Sequence, residues 1–281
     1  MEKFSNSHLH SIFSDGTQTP EELVASVRAA GYRALVLTDH DTMCGTHRLG
    51  VAARRAGMLS ILGCEISTLG FGGQSIHLLA LDFNSENQAM RDLMHRGADR
   101  QRIRSEQLFL KGLERGTLRE GTTWDEVLKA FPDNDFFCTT QVFDVLLKKG
   151  IYRPEERREY WLANFAYDLP DSIALDKDLP QFADIEEAIV TVRRAGGVPI
   201  IAHPHGLCSY ADEIIKMGVL GFETHHPELD ENDISFFTQL CRENGLYESG
   251  GTDHETVYPI DKAVGYTSEE SFMKLYKREL G

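Results

Sequence analysis

The first part of the chain alternates between strand-like and helix-like patterns of apolar and polar residues. Positions 8–10 read polar, apolar, polar, so His8 and His10 point to one face of a predicted strand. Apolar residues recur at helical spacing between residues 20 and 30. The unbroken apolar run at 34–37 is typical of a strand that is buried on both faces. This order of elements predicts parallel β/α packing with right-handed crossovers.

Apolar runs further along the chain predict more strands. Residues 59–62 and 75–81 form two of them, and His77 lies on the polar edge of the second. Residues 198–202 and 221–224 form two more, separated by a segment that can form a helix. We therefore expect an α/β fold in which helices cover a largely parallel sheet.

The pattern changes after residue 85, where helical periodicity replaces the alternation and no convincing strand is found for about a hundred residues. The candidate helices in this stretch cover residues 91–113, 123–130, 139–149 and 154–165. The β/α alternation then resumes. We predict a catalytic β/α domain made of residues 1–85 and 183–281, with residues 86–182 as an all-helical insertion.

Histidine and carboxylate side chains collect where the predicted strands end. They include His8, His10, Asp39, His40, Glu65, His77, His203, His225, His226 and Asp253. Taken singly, His77 could be a core histidine and Glu65 could cap a loop. Chance does not readily explain such residues at five or more strand ends. Because active sites of β/α barrels form at one rim, beyond the strand ends, the pattern predicts a metal-binding rim.

Composition excludes several classes of protein. The net charge of −15 repels long polyanions and argues against a dedicated nucleic-acid-binding protein. The sequence has neither an apolar run long enough to cross a membrane nor a recognisable secretion signal. Five scattered cysteines without a Cys-x-x-Cys pair are expected for reduced thiols in a cytoplasmic protein. Bound cations could reverse the charge locally, so small anionic substrates remain compatible with this composition.

The motifs follow one another in the order His8-x-His10, Asp15, Thr38-Asp39-His40, Gly63-x-Glu65, His77, Ala202-His203-Pro204 and Gly251-Thr252-Asp253. This order and its spacings resemble the PHP (polymerase and histidinol phosphatase) superfamily of metal-dependent phosphoesterases. The branch that it resembles most consists of stand-alone enzymes with a helical insertion. The resemblance covers essentially the whole chain, and it implies a distorted (β/α)7 barrel, similar to a TIM barrel, with two to three divalent metal ions.

The resemblance also implies how the ligands are shared. The first metal would be bound by His8, His10, Glu65 and Asp253. The second would be bound by Glu65, His77 and His203. The third would be bound by Asp15, His40 and one ligand from the loop after Asp253.

That last ligand is where the sequence departs from the family. Relatives commonly carry a histidine two residues after the aspartate, whereas this chain has Glu255 there and His254 one residue earlier. We assign the ligand to Glu255, because a carboxylate also binds manganese, iron or zinc. The mixture of histidine and carboxylate ligands suits Mn, Fe or Zn better than Mg or Ca. Such ions would activate a water, and the resulting hydroxide would attack phosphorus in line with the leaving oxygen.

Three more residues are candidates for catalysis. Asp39 could orient a metal-binding histidine or could cap a helix. His225 and His226 follow a predicted strand. One of them could protonate the leaving group or bind phosphate, and a surface loop role is the alternative.

The candidates for substrate binding lie mainly in the insertion, which is expected to form a lid. They are Arg100, Arg102, Arg104 and, outside the insertion, His205. The arginines could bind phosphate or form a solvated helix face. Residues 137–141 stand where relatives commonly carry Arg-x-His, and His205-Gly206 stands where they carry Gly-Arg. These departures concern substrate recognition and leave the metal ligands in place.

The resemblance implies hydrolysis of small phosphate esters, with nucleoside mono- or bisphosphates as the expected class. An alternative known in this branch is a 5′–3′ exoribonuclease acting on short RNA, but the charge of −15 and the altered insertion weigh against it. We accordingly expect no stable nucleic-acid complex and no membrane partner. A second alternative, a metal-binding module without catalysis, is disfavoured by the nearly complete ligand set.

Overall fold

The computed structural model describes residues 4–255, 260 and 265–276. The strands are β1 (Ser5–Asn6), β2 (Ala34–Leu35), β3 (Leu59–Ser60), β4 (Gly63–Leu69), β5 (Ser75–Leu81), β6 (Ala183–Asp184), β7 (Val198–Ile201), β8 (Gly221–His225) and β9 (Tyr247–Gly250). The α-helices are α1 (Pro20–Ala29), α2 (Thr46–Ala56), α3 (Gln88–Arg115), α4 (Trp124–Ala130), α5 (Thr139–Lys148), α6 (Arg157–Asn164), α7 (Pro170–Leu175), α8 (Ile185–Arg194), α9 (Ala211–Met217), α10 (Glu231–Asn244) and α11 (Glu269–Tyr276). The first three and last five residues of the predicted catalytic domain lie outside the described residues.

Eight strands close into a ring with seven strand positions, because β3 and β4 follow each other along one position. β1, β2 and β3 pair in parallel, and a parallel bridge between His40 and Glu65 carries this pairing on to β4. β4, β5, β7, β8 and β9 follow as hydrogen-bonded neighbours. A parallel bridge between Leu9 and His254 then joins the segment after β9 to the segment after β1. The predicted α/β fold, a distorted (β/α)7 barrel, is thereby confirmed.

One strand of the ring runs against the others. β5 pairs antiparallel with both β4 and β7, so the prediction of parallel packing was wrong for this strand. Only residues 70–74 connect β4 to β5, and so short a link cannot contain the helix that a parallel crossover needs. The reversal brings the first residues of β5, including His77, to the rim where β4 and β7 carry their functional residues.

Local sequence signals set the ends of the helices around the barrel. Thr19 and Glu22 form a capping box at the start of α1, in which each side chain accepts a hydrogen bond from the other residue's backbone N–H. α2 ends at Gly57, which adopts the left-handed conformation at φ 69°. The apolar faces of these two helices pack together against the barrel through Leu23 and Leu49.

Between residues 86 and 182 the structure contains the helices α3 to α7 and, within the described residues, no strand. These helices enclose an apolar core of their own, which includes Phe109, Trp124, Phe143, Leu146 and Tyr160. α3 also packs against α8 and β4 of the barrel. The division of the chain into a barrel and an inserted domain stays a prediction. No helix in the described part of the chain is both long and apolar enough to cross a membrane.

Candidate metal centre

Four side chains from three distant segments converge inside the rim of the barrel. His8 and His10 follow β1, Glu65 lies on β4, and Asp253 follows β9. Glu65 Oε2 lies 3.0 Å from His8 Nε2 and 3.2 Å from His10 Nε2. Asp253 Oδ1 lies 2.9 Å from His10 Nε2 and 3.5 Å from His8 Nε2. We call these four residues the inner subsite, and their ligand atoms lie close enough together to share one metal ion.

Glu65 also faces three more histidines. Its Oε1 atom lies 3.0 Å from His77 Nδ1 and 3.2 Å from His203 Nε2. Its Oε2 atom lies 3.5 Å from His40 Nδ1. Because its two oxygens face different histidines, this carboxylate can bridge two metal ions.

A second group of ligand atoms lies nearer the mouth of the barrel. Asp15 Oδ1 lies 3.3 Å from His10 Nδ1, and Asp15 Oδ2 lies 3.5 Å from His40 Nε2. The rings of His10 and His40 stack with 4.7 Å between their centroids. We call His10, Asp15 and His40 the outer subsite. Its three ligand atoms also lie close enough together to hold one ion.

The geometry of these atoms fits metal binding. His10 Nε2 and His40 Nδ1 are buried and lack a hydrogen-bond partner in the described structure, although carboxylate oxygens lie 2.9–3.5 Å away. Nitrogen and oxygen ligands of a tetrahedral metal lie about 2.0–2.2 Å from the ion, and therefore about 3.3 Å from one another. The observed separations agree with side chains that are oriented towards common ions, and the donor set suits Mn, Fe or Zn.

In the loop after Asp253, the side chains of Glu255 and His254 lie in different surroundings. Glu255 lies close enough to Asp15 and Asp253 for their charges, together with burial, to raise the pKa of its carboxyl to about 8. The His254 side chain instead lines a separate cavity together with Gln18. The structure therefore brings Glu255, rather than His254, beside Asp15, while metal binding by Glu255 stays a prediction.

Histidines and carboxylates balance one another electrostatically in the metal-free cluster. Burial disfavours the charged form of Glu65, yet the histidines around it, His8 foremost, hold its pKa well below the usual range. Burial likewise opposes protonation of His8, but Glu223, Glu65 and Asp253 raise the pKa of His8 well above its usual value. Protonated imidazoles thus stabilise the buried carboxylates in the metal-free protein.

We expect Mn²⁺ binding to release protons at pH 7. Burial opposes the protonated form of His203, but its hydrogen bond to Glu65 and the charges of Glu65 and Asp253 raise its pKa to about 9. A metal ion binds only the neutral imidazole, so binding at pH 7 displaces this proton and the observed affinity should increase as the pH rises towards 9. Calorimetry in two buffers of different ionisation enthalpy measures the release. Identical binding heats in both buffers would contradict the prediction.

Comparison with known proteins decides the family. A family model described as the PHP domain matches residues 6–146, which is half of the 281-residue chain. This chain belongs to the PHP domain family. The resemblance inferred from the order of the motifs is therefore confirmed.

Three relatives of this PHP protein that match most of its length are named as enzymes that act on phosphate esters. It is 30% identical over 213 residues to a 5′-3′ exoribonuclease of Haemophilus influenzae, a match that covers 73% of this chain and 70% of the relative. It is 24% identical over 274 residues to a 3′,5′-nucleoside bisphosphate phosphatase of Chromobacterium violaceum, covering 93% and 90% of the two chains. It is 24% identical over 262 residues to a phosphoribosyl 1,2-cyclic phosphate 1,2-diphosphodiesterase of Eggerthella lenta, covering 92% and 97%.

The fold is also found in a crystal structure. A protein of Bifidobacterium adolescentis assigned to the metal-dependent phosphoesterases superposes on this PHP chain with a TM-score of 0.79 and 24% identity. The match covers 99% of this chain and 97% of the other. At this level of identity the likeness establishes a shared fold.

Sequence reasoning assigned no role to Glu223, a buried carboxylate on β8. Its two oxygens each lie 3.1 Å from His8 Nδ1, and Oε2 accepts a hydrogen bond of 2.7 Å from the backbone N–H of His203. Donation from Nδ1 to Glu223 leaves His8 Nε2 free to face Glu65 and Asp253. The sequence did contain one sign of this role, because Glu223 is a charged residue within a largely apolar strand. Such a residue must either be buried with polar partners or interrupt the strand.

We expect Glu223→Gln to weaken Mn²⁺ binding by about 10- to 100-fold, the usual effect of losing a group that orients a metal-binding histidine. The neutral amide is a weaker acceptor than the carboxylate for the two N–H groups that Glu223 serves, and its NH₂ group replaces one of the two oxygens that face His8 Nδ1. Competition with a metal-sensitive dye measures the affinity. Glu248→Gln, on the neighbouring strand, is the control, and equal affinities for both variants would contradict this role.

Two of the predicted catalytic residues lie behind the cluster. Asp39 accepts hydrogen bonds from the backbone N–H and hydroxyl of Ser11 and from the hydroxyl of Ser14, at 2.6–2.7 Å. Through these bonds it anchors the loop after β1, rather than orienting a histidine directly or capping a helix. His226 is buried beside Asp253, with its Nε2 atom 3.5 Å from Asp253 Oδ2.

His226 is oriented by its own loop. Its Nδ1 atom accepts a hydrogen bond of 3.2 Å from the backbone N–H of Glu228, so the neutral ring carries its proton on Nε2, towards Asp253. His226 is fully buried, which fits orientation of Asp253 better than contact with a leaving group.

The structure separates two other predicted residues from the cluster. His225 lies on the opposite face of β8, where its ring packs on Tyr266 at 4.5 Å, and it lines a different cavity, between α10 and α11. The side chain of His205 is 62% exposed and lies 2.6 Å from Asp233 Oδ2 through its Nδ1 atom. Neither histidine lines the cavity that opens onto His40 and His77.

That cavity, of about 450 Å³, joins the metal cluster to the helices above it. Asp15, His40 and His77 form its floor, and Arg100 and Arg104 line its wall. Arg104 Nε is buried and has no hydrogen-bond partner among the described residues.

Arg102 does not line this cavity. Its guanidinium points away and lies 3.4 Å from Asp99 and 3.8 Å from Glu106. The reason is helical geometry, because residues four apart in α3 share a face whereas the residue between them lies on the opposite side. Of the three predicted arginines, the structure thus brings Arg100 and Arg104 to the cluster.

Proposed function

We propose that this PHP protein is a metal-dependent phosphoesterase that hydrolyses small phosphate esters, with nucleoside mono- and bisphosphates as its substrates. The observation that carries the proposal is the convergence of five histidines on the buried carboxylate Glu65, beneath a cavity walled by arginines. Phosphoric ester hydrolysis is also the activity named for the relatives from Chromobacterium violaceum and Eggerthella lenta.

The chain offers ligands for two to three metal ions. The inner subsite would hold one ion, Glu65 with His77 and His203 a second, and Asp15 with His40 and Glu255 a third. Bound Mn, Fe or Zn would supply charge stabilisation for the phosphoryl group and would lower the pKa of a water molecule. Glu223 and His226 would orient the ligands His8 and Asp253.

Features of the cavity support a nucleotide as the proposed substrate. Arg100 and Arg104 lie on one face of α3 above the cluster. Nη atoms of both donate to groups of the helical region, and the remaining N–H groups of each guanidinium could bind phosphate oxygens. Tyr167 and Phe182 line the same cavity, each with one face against the guanidinium of Arg104 or Arg100, and the exposed Tyr167 ring would be the aromatic surface for a base. A volume of about 450 Å³ accommodates a mononucleotide rather than a long strand.

Phosphate release from a panel of substrates tests the proposal. Metal-free protein reconstituted with Mn²⁺ should release phosphate from nucleoside mono- or bisphosphates, and chelation should stop the release. Failure to hydrolyse any phosphomonoester or diester would reject the proposal. One bound metal or none per chain, without activity after reconstitution, would instead favour a non-catalytic metal-binding module.

A second candidate is a 5′–3′ exoribonuclease of short RNA, favoured by the 30% identity to the Haemophilus influenzae enzyme. The net charge of −15 disfavours binding of a long polyanion, because each added phosphate meets further repulsion. An end-labelled RNA oligonucleotide and a mononucleotide, compared at equal concentration, distinguish the candidates. Faster turnover of the oligonucleotide would favour the exoribonuclease.

A further inference from the structure

One segment of the helical region, residues 134–141, contacts both loops that carry the outer subsite. We call it the clamp segment. Towards the loop after β1, Asn134 Nδ2 donates to the carbonyl of Ile12 at 2.9 Å, and Thr140 Oγ1 donates to the carbonyl of Asp15 at 3.3 Å. Gln141 Nε2 donates to the carbonyls of Ile12 and Ser14. Three backbone carbonyls of this loop are therefore held by side chains from a distant part of the chain.

The clamp segment also holds the loop after β2. Asp135 accepts a hydrogen bond from the hydroxyl of Thr42, two residues beyond His40. The buried ring of Phe136 stacks on the His40 ring, with 6.2 Å between centroids and an interplanar angle of 23°. Asp15 and His40 are thus both held from outside the barrel, each through its own loop.

Gln141 is the central donor of this arrangement. Its side chain is 1% exposed, and its Oε1 atom accepts a hydrogen bond of 2.8 Å from the backbone N–H of Cys138. That bond orients the amide so that its NH₂ group must face the loop after β1, where it meets the carbonyls of Ile12 and Ser14. Without these N–H groups, two loop carbonyls beside Asp15 would lose a buried partner.

We propose that Gln141 is a positioning residue for the outer subsite, and that the clamp segment couples the helical region to metal binding by holding Asp15 and His40 at the distance that one ion requires. The proposal rests on the proposed metal-dependent function. Residues 137–141 stand where relatives commonly carry Arg-x-His, and in this chain the segment supports a metal-binding loop through backbone carbonyls.

The inner subsite depends less on the clamp segment, because among its four residues it shares His10 alone with the outer subsite. His8 is held by Glu223, and Asp253 faces His226, both from β8 and the loop after it. Within the described structure, the hydrogen bonds of Glu223 go to His8 and His203 and none goes to the clamp segment. Loss of Gln141 should therefore weaken one class of metal site and spare another.

Calorimetric titration of the metal-free protein with Mn²⁺ tests this selectivity in Gln141→Met, which keeps the side-chain length and removes both N–H donors. We assign the weaker site to the outer subsite, with three ligand residues, and the tighter site to the inner subsite, with four. We expect the weaker site to lose about tenfold or more in affinity while the tighter site changes by less than about twofold. The control is Glu126→Met, since Glu126 occupies the same capping-box position in α4, away from the metal cluster. It should leave both classes of site unchanged.

Two outcomes are decisive against the proposal. If Gln141→Met binds Mn²⁺ like the wild-type protein, the positioning role is overturned and the proposed function stands. If the wild-type protein binds no Mn²⁺, the metal centre fails and the positioning role fails with it. Should Gln141→Met not fold, Asn134→Ala removes a single donor to the carbonyl of Ile12 and should weaken the same site to a smaller extent.

Discussion

Glu65→Gln should abolish phosphate release while leaving the protein folded. The amide keeps the size of the carboxylate but lacks the charge that five surrounding imidazoles share. If Glu65 bridges two metal ions as proposed, its loss removes several kcal/mol of charge stabilisation. A loss of about 4 kcal/mol corresponds to a decrease in kcat/KM of roughly a thousandfold. Metal analysis by mass spectrometry should show fewer ions per chain, and phosphate release gives the rate.

The effect of Glu65→Gln on the metal-free protein separates a loss of catalysis from a loss of stability. The histidines that hold the pKa of Glu65 low would lose this anionic partner, so fewer of them would be protonated at pH 7. Glu213→Gln, at an exposed position in α9, provides the matched control and should retain full activity. Activity of Glu65→Gln within about tenfold of the wild type would show that Glu65 does not bridge metal ions.

Gly251→Ala should destabilise the barrel where the ring closes. A Cβ atom at Gly251 would lie 2.3 Å from His8 N and 2.4 Å from His8 Cβ, distances that no real contact shows. Neither the backbone of His8 nor the adjacent hydrogen bond from Asp253 N to the His8 carbonyl can move without opening the ring. We expect a loss of about 3 kcal/mol in the free energy of unfolding, with a decrease in Tm of roughly 6–10 °C.

A second glycine supplies the control for that substitution. Gly50 lies within α2, and a Cβ atom there would meet nothing nearer than Arg54 Nη1, at 3.6 Å. Gly50→Ala should therefore leave the stability unchanged or increase it by up to about 1 kcal/mol. Equal Tm values for the two variants would mean that the segment after β9 does not pack against His8 as described.

The candidate site was largely predictable because its residues sit at strand ends. Parallel strands bring their carboxyl ends to one rim, so His40 beyond the end of β2 and His203 beyond the end of β7 both reach Glu65 although they are far apart in the sequence. Periodicity alone shows where such strands end. The pairing of His40 with Glu65 in the ring agrees with that reasoning.

The direction of β5 and the role of Glu223 could be recognised only from the structure. An apolar run gives the same pattern in either direction, so only the length of the β4–β5 link could have revealed the reversal. Glu223 lay within a predicted strand, and sequence alone does not show that His8 and the backbone of His203 meet on its inner face. The three arginines also looked equivalent, yet helical spacing separates Arg102 from its two neighbours.

The reversed direction of β5 has a consequence for the range of substrates that this architecture can serve. β5 ends at the far side of the barrel, so α3 must start there and run 28 residues, about 42 Å, before the remaining helices begin. The twelve residues of α3 that precede Arg100 thereby act as a spacer, and their number sets how high Arg100 and Arg104 stand above the metal-binding residues. Seven more residues, about two turns, would lift the rest of the helical region by about 10 Å on nearly the same face. Changes in substrate length could thus arise through a single helix, without any alteration of the metal ligands.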